Sequence, residues 1–314
     1  MNRKRGYMDI ILFKKIIDEL SLFRPKPLLD FSKQGEPLLH PLLIDAIRHA
    51  AKGGFSTRLI TNGTLLTKEL SGQLISSGLN KIVFSISAGT KETFNKIHMG
   101  SNFDKVINNI LDFIEIRGNK VKPAIRFNFV KEKRNIEELP RFIKFFSMLP
   151  ATLHTSVLVN FFGKNNGYDL SSYNKYKDKR KWRACIIPWR MLSIGWDGKV
   201  SPCMIDYNNR YIAGDCTKES AVEIWNNKKM QIFREALINK NYNLIESEGK
   251  LCSECNQIWG DNIKQVQKIN YSYDLNKTEF LKKYYWILKH RHFWYEGLLN
   301  PPNQKCCMTP GLPE

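Results

Sequence analysis

The chain has 314 residues, enough for one large domain or two ordinary ones. Hydrophobic residues make up 42% and aromatics 12%, which supplies a real core and excludes a disordered or collagen-like chain. Lys and Arg total 49 against 30 Asp and Glu, so the net charge is +19, a balance that favours anionic partners and says nothing of fold.

The N-terminus is basic, but the apolar run after it is too short and too charged for a signal peptide. No stretch approaches the roughly 20 apolar residues of a spanning helix. The expected location is therefore the cytoplasm, with no membrane span. In that reducing setting seven cysteines read as metal ligands, redox groups or buried thiols before structural disulfides.

The first half alternates between two periods. Residues 9–23 predict an amphipathic helix, with Ile10, Leu12, Phe13, Ile16, Ile17 and Leu20 on one stripe. Residues 28–32 read as a short strand, 42–51 as a helix stopped by Gly53-Gly54, and 57–61 as a strand ended by Asn62-Gly63. A helix capped by Thr67 follows, then a strand over 81–88 and helices over 91–99 and 103–117. Residues 123–130, 136–148 and 154–162 read as strand, helix and strand. Five strands alternating with helices predict a parallel sheet with helices outside, and ligands at the strand ends. The fold class is α/β.

Residues 163–183 turn polar and then strongly basic, and read as a linker. Beyond it the pattern changes. Short strands over 191–194 and 199–201 flank Asp197-Gly198, a strong hairpin signal. Residues 221–238 read as one helix whose Ile224, Trp225, Ile232 and Phe233 form a buried face. The aromatic and basic tail, 263–314, carries one predicted helix near 278–290. The expected units are thus 1–162, the linker, 184–262 and the tail.

Four cysteines make the clearest site. Cys185 and Cys203 bracket the hairpin with 17 residues between them, and Cys252 and Cys255 form a C-x-x-C. Four thiolates so placed suit tetrahedral zinc or an iron–sulfur cluster equally well by spacing. Cys216, Cys306 and Cys307 fall outside the pattern and read as non-ligands.

Gly35-Glu36-Pro37 follows the first strand, where carbonyls and a carboxylate would suit an ammonium group. Thr61 and Asn62 end the second strand. Ser85 and Ser87, two apart and so on one face of an ideal strand, end the third. Glycine-rich phosphate loops, H-E-x-x-H and G-x-S-x-G are all absent, and the six histidines show no ligand spacing.

These segments resemble the radical S-adenosylmethionine (radical SAM) enzymes that carry a SPASM or twitch auxiliary-cluster module. The resemblance spans about residues 3–260. DFSKQGEPLLHP resembles the family's Gly-Gly-Glu-Pro segment, with Gln34 in place of the first glycine. RLITNGTLL follows as in the family, and IVFSISAGTKETFNKI resembles its ribose-facing strand–helix, with Ser87 where Asp is usual. CIIPWRMLSIGWDGKVSPC, IAGD, AVEIWNN and CSEC resemble the auxiliary module in its single-cluster form.

The resemblance implies a partial (β/α) barrel without its first strand, followed by a small cysteine-rich domain. It implies SAM held by Gly35, Glu36, Pro37, Thr61, Asn62, Ser85 and Ser87. It selects a 4Fe–4S cluster, rather than zinc, on Cys185, Cys203, Cys252 and Cys255. The implied chemistry is hydrogen abstraction by a SAM-derived 5′-deoxyadenosyl radical. The implied substrate is a sugar, an aminocyclitol or a peptide, with a lean toward anionic ones. The implied electron donor is external, such as flavodoxin or ferredoxin.

One part of the family pattern is missing. The family's catalytic cluster sits on a C-x-x-x-C-x-x-C loop, and here no cysteine precedes Cys185. The expectation is an N-terminal truncation that lacks the second cluster and is inactive as given. The competing reading is a non-catalytic iron–sulfur or zinc module that docks nucleic acid or protein through its basic surface.

Overall fold

The computed structural model describes residues 4–158, 185–246, 251–253 and 255. The predicted linker, the tail helix, Cys306 and Cys307 lie outside the described residues. Helix α1 (Ile10–Leu20) opens the chain, its first amides capped by Asp9. Strand β1 (Leu29–Asp30) follows, then α2 (Leu43–Lys52), β2 (Thr57–Thr61), α3 (Lys68–Ser76) and β3 (Lys81–Ser85). Helices α4 (Lys91–Ile97) and α5 (Phe103–Arg117) precede β4 (Ala124–Lys131), α6 (Leu139–Phe146) and β5 (Thr152–Val157). The five strands are all parallel, as the alternating pattern predicted, and they pair in sequence order.

The two faces of this sheet differ. Leu59, Ile82, Phe84, Ile125, Phe127, Phe129 and Leu153 point to the helices and are buried there against Ile47, Leu74, Val106, Ile110, Phe113, Phe142 and Phe146. Phenylalanine rings stack through this layer, Phe84 to Phe127 at 5.9 Å and Phe127 to Phe146 at 4.8 Å between centroids. Burying so many large apolar side chains supplies the main driving force of this half. Residues of opposite parity, such as Arg58, Ser85, Arg126, Asn128 and His154, are only half-buried.

Two corrections concern the second half. Strands β6 (Ser193–Ile194) and β7 (Lys199–Ser201) form the expected hairpin, but a third antiparallel strand, β8 (Gly214–Asp215), completes the sheet. A two-residue strand is too short to show any periodicity. The predicted helix over 221–238 is two helices, α7 (Ala221–Asn226) and α8 (Lys228–Ile238). Asn227 breaks them: its backbone is extended, its side-chain oxygen caps Met230, and its amide donates to Ala213 O at 2.9 Å. Apolar periodicity runs on through such a break because both helices cover the same sheet.

Gly198 closes the hairpin with φ +78°, and a Cβ there would lie 2.9 Å from Thr217 Cγ2. Helix α1 joins the two halves. Ile16 packs with Val200, Ala213 and Ile224, while its neighbour Ile17 packs with Ala50 and Phe55 near α2.

His98 gives this fold a pH signature. Its ring stacks on Phe94 and its Nε2 faces Ile86 O at 2.9 Å; burial holds its pKa below the ordinary imidazole value. His154 is shifted the same way, by burial and by Arg126 and Arg58. With the folded pKa depressed, the unfolded chain binds more protons just below about pH 6.5, so stability rises with pH through that range. Chemical denaturation at pH values from about 5.5 to 7.5 should show this positive slope, and His98→Asn should reduce it. A slope unchanged by His98→Asn would contradict the assignment.

Candidate functional site

The first candidate region is the C-terminal rim of the parallel sheet. Gly35 makes the turn after β1 with φ +86°, a conformation that favours glycine. Glu36 follows and organises the turn. Its Oε1 accepts from the Thr61 hydroxyl at 2.7 Å and from Leu38 N–H at 3.1 Å, and its Oε2 accepts from Asn62 N–H at 2.9 Å. Pro37 begins the short 3-10 turn that Glu36 caps. The Asn62 side-chain oxygen in turn accepts from the backbone and hydroxyl of Thr64. The carboxylate, expected to face an ammonium group, is engaged with the protein. Glu36 C=O accepts from Leu39 N–H and Pro37 C=O from His40 N–H, so among the described residues the Gly35 carbonyl is the turn's acceptor left for a ligand.

The hydroxyls divide. Thr61 is buried, and its oxygen donates to Glu36 and accepts from Gly63 N–H. Ser85 is half-buried at the end of β3, in register with Asn128. Ser87 departs from the expectation. The strand ends at Ser85, so two-residue alternation does not carry on to Ser87. Ser87 adopts φ +52°, is buried, and accepts from Val130 N–H at 3.1 Å. Its carbonyl is held by Asn135 Nδ2 at 2.8 Å. Ser87 ties β3 to the segment after β4 rather than lining the rim beside Ser85.

Neighbouring strands add residues that the sequence reading passed over. Asn128 of β4 and His154 of β5 stand in register with Ser85, and His154 Nδ1 lies 2.9 Å from Asn128 Oδ1. The signal was available: the run Arg126-Phe127-Asn128-Phe129 alternates polar and apolar in a strand flanked on both sides. Such a parallel strand is ordinarily apolar on both faces.

The second region is the cysteine module. Cys185 precedes the turn at 187–189, Cys203 follows β7, and Cys252 and Cys255 come after α8. Cys185, Cys252 and Cys255 share one apolar cluster with Phe233, Leu237 and Ile245. Glu246 shapes the C-x-x-C segment, accepting from Leu251 and Ser253 N–H at 3.0 and 2.8 Å and from the Ser253 hydroxyl. Cys203 Sγ accepts from Ile205 N–H at 3.4 Å.

The electrostatics of the four thiols are shared. Burial pushes Cys203 up to about 12, and the thiolates of Cys255 and Cys185 push the same way. Burial raises Cys252 too, reinforced by Cys203, Cys255 and Cys185. Burial also raises Cys185. Among the described residues no cationic side chain contributes to these shifts. Such a group becomes anionic only around a metal centre, which is the donor chemistry that a cluster or metal requires. Among the described residues, no three His, Cys, Asp or Glu side chains are gathered tightly enough to hold a single metal ion. Cys216 is also buried and pushed up to about 12, but its neighbours are Glu19, Asp215, Lys15 and Glu219, not other cysteines.

Rim and module touch. Lys33 Nζ lies 3.4 Å from both Ser193 O and Asn209 Oδ1. The Gln34 amide, oriented to satisfy both ends, pairs with Tyr207 N–H and C=O at 3.2 Å each. These two residues directly precede Gly35, so the turn is attached to the cysteine module.

Comparison with known proteins gives two family matches, the radical SAM superfamily over residues 2–146 and the SPASM iron–sulfur cluster-binding domain over residues 185–256. A tungsten-containing aldehyde ferredoxin oxidoreductase cofactor-modifying protein of Pyrococcus furiosus is 28% identical over 293 residues, covering 80% of each chain. Streptococcus suis SuiB bound to the precursor peptide SuiA has a similar fold, with TM-score 0.60 and 12% identity over 82% of this chain and 65% of that one. AnSMEcpe with bound AdoMet matches with TM-score 0.56 and 14% identity, over 93% of this chain and 91% of that one. Among the described residues no helix is long and apolar enough to cross a membrane. With its parallel sheet, its Gly-Glu-Pro rim and its four-thiol module, the chain carries a radical SAM superfamily region over residues 2–146 and a SPASM iron–sulfur cluster-binding domain over residues 185–256.

Proposed function

We propose that the chain is a maturase of the radical SAM class, acting on a peptide or cofactor precursor held between the rim and the cysteine module. The observation that carries this reading is the pairing of Lys33 and Gln34 with Ser193, Asn209 and Tyr207. A substrate at the rim is thereby beside the four thiols. The relatives support the substrate class: one modifies a cofactor, and one was solved with a precursor peptide. Sugar and aminocyclitol substrates fit the same chemistry with less support.

In this reading Cys185, Cys203, Cys252 and Cys255 hold one 4Fe–4S cluster. SAM binds at the rim, against the Gly35 carbonyl of the Gly35–Pro37 turn, with Ser85 and Asn62 beside it. Glu36 and Thr61 position that turn, and Ser87 positions the strand behind it. SAM bound to a reduced catalytic cluster supplies the 5′-deoxyadenosyl radical used by this superfamily. The catalytic cluster has no ligand set here, because these 314 residues include no cysteine before Cys185. The rim therefore binds and orients and supplies no iron ligand. Electrons would come from an external donor of the flavodoxin or ferredoxin kind. The units 1–162 and 184–262 correspond to the two halves of this arrangement.

Anaerobic reconstitution should yield about four irons and four sulfides per chain with visible charge-transfer absorbance. Cys203→Ala and Cys255→Ala should lose them, and Cys216→Ala should not. Stoichiometric zinc without visible absorbance would replace this reading with that of a zinc-bearing docking module.

Glu36→Gln sets an NH2 group against one or two of the three donors that the carboxylate now receives. The cost should be about 1–3 kcal/mol of local stability. Hydrogen exchange at Asn62 N–H should accelerate, and affinity for S-adenosylhomocysteine should fall about tenfold, equivalent to roughly 1.4 kcal/mol. Unchanged exchange together with unchanged affinity would remove Glu36 from the rim.

A further inference from the structure

The half-open face of the parallel sheet carries charges that neither the rim nor the cysteine module uses. Strand register places them in rows. Asp30, Arg58 and Lys81 share the lowest row. Arg126 stands one row higher, between Val83 and Thr152. Ser85, Asn128 and His154 form the next row, which reaches the rim. Two residues along a strand separate these rows, so Arg126 lies about 7 Å below the rim row.

The charges do not balance. Arg58 donates from Nε and Nη2 to Asp30, the one carboxylate on the half-open face of the five described strands. Lys81 and Arg126 have no ion-pair partner among the described residues, and His154 meets only the Asn128 amide. Arg126 Nε is buried and has no hydrogen-bond partner among the described residues; of the arginines with such an orphan nitrogen it is the one on the half-open face of the sheet. Buried polar atoms are almost always satisfied, so an orphan guanidinium nitrogen asks for a missing acceptor. The cations also oppose one another. After burial, Arg126 and Arg58 lower the pKa of Lys81 and of His154, and Arg58 lowers that of Arg126. An anion placed here would reverse that repulsion, and it would meet a guanidinium able to donate two parallel hydrogen bonds.

We propose that this face is an oxyanion subsite, in which Arg126, flanked by Arg58, Lys81 and His154, receives a phosphate or carboxylate group of the substrate. The substrate's reacting end then lies toward Ser85 and the rim. Only that direction rests on the proposed function; the binding of an oxyanion does not.

The test is a titration of the full chain with inorganic phosphate, pyrophosphate and succinate at constant ionic strength. The imidazole NMR signals of His154, assigned through His154→Asn, report binding. At least one of the three probes should shift these signals saturably. Arg126→Gln should weaken that binding at least about tenfold, the loss expected for a charge-assisted pair. Lys105→Gln, on the exposed side of α5, should leave it unchanged. If Arg126→Gln does not fold by circular dichroism, Lys81→Met and Arg126→Lys serve in its place, and each should weaken binding at least threefold. Preference for the phosphates supports a phosphorylated substrate, and preference for succinate supports a carboxylate such as an acidic peptide. No saturable shift with any probe, or equal affinity in the wild type and the charge variants, would overturn the proposal. Iron content measured on the same samples separates this result from the fate of the cluster reading.

Discussion

A parallel sheet has two faces, and here, among the described residues, only one of them is closed by helices. Leu59, Phe84, Phe127 and Phe129 are fully buried on that face, and hydrophobic stabilisation of the first half is concentrated there. The core tolerates little change in volume, because such interiors are close-packed. The other face is therefore free to carry Arg58, Arg126, Asn128 and His154 without weakening the core. Polar residues on a central strand would be a liability in an ordinary doubly covered sheet. Here the unequal faces separate stability from ligand chemistry.

The rim illustrates how a functional turn is held by its own side chains. Gly35 permits the left-handed turn, and Glu36 locks it by receiving Thr61, Asn62 and Leu38. A carboxylate accepting several hydrogen bonds is a rigid bracket. It brings the ends of β1 and β2 to one place, with the carbonyls of Glu36 and Pro37 used inside the turn and that of Gly35 left over. Lys33 and Gln34, immediately upstream, transmit that fixed position to the hairpin of the cysteine module. Helix α1 does the same from the other end, with Ile16 packed toward β7 and α7 and Ile17 toward α2. Two independent attachments restrict the movement of one half against the other.

The sequence made some of this legible and not the rest, for physical reasons. The five parallel strands and the opening helix followed from apolar periodicity, because burial enforces that period. The hairpin followed from Asp197-Gly198, because Gly198 needs positive φ. The break at Asn227 stayed hidden because apolar positions continue across it, although an asparagine is a ready cap for the helix that follows. Ser87 was misplaced for a related reason: strand alternation was carried past the point where the strand ends, and φ +52° at a non-glycine residue leaves no trace in composition. The Arg126 row was missed because a search for ligand spacing along the chain does not see neighbours across a sheet. Register, not sequence distance, brings Lys81, Arg126 and His154 together.

The four thiols show most clearly how environment selects chemistry. A buried thiol is inert on its own, since ionising it places charge in an apolar setting. Each of Cys203 and Cys252 is opposed further by the thiolates around it, and Cys252 also by Glu246. Glu246 nonetheless stays, because its carboxylate holds the backbone of residues 251–253 in the shape of the C-x-x-C segment. Local geometry is thus secured at an electrostatic cost to the thiols. A multivalent iron–sulfur core bound there would cancel that cost, since it would stabilise the thiolates together. Cys216 lacks the other half of the arrangement: equally buried, it faces carboxylates and Lys15 but no second thiol. Electrostatic coupling among neighbouring thiols, rather than burial or a shifted pKa of one, sets Cys203 and Cys252 apart from Cys216.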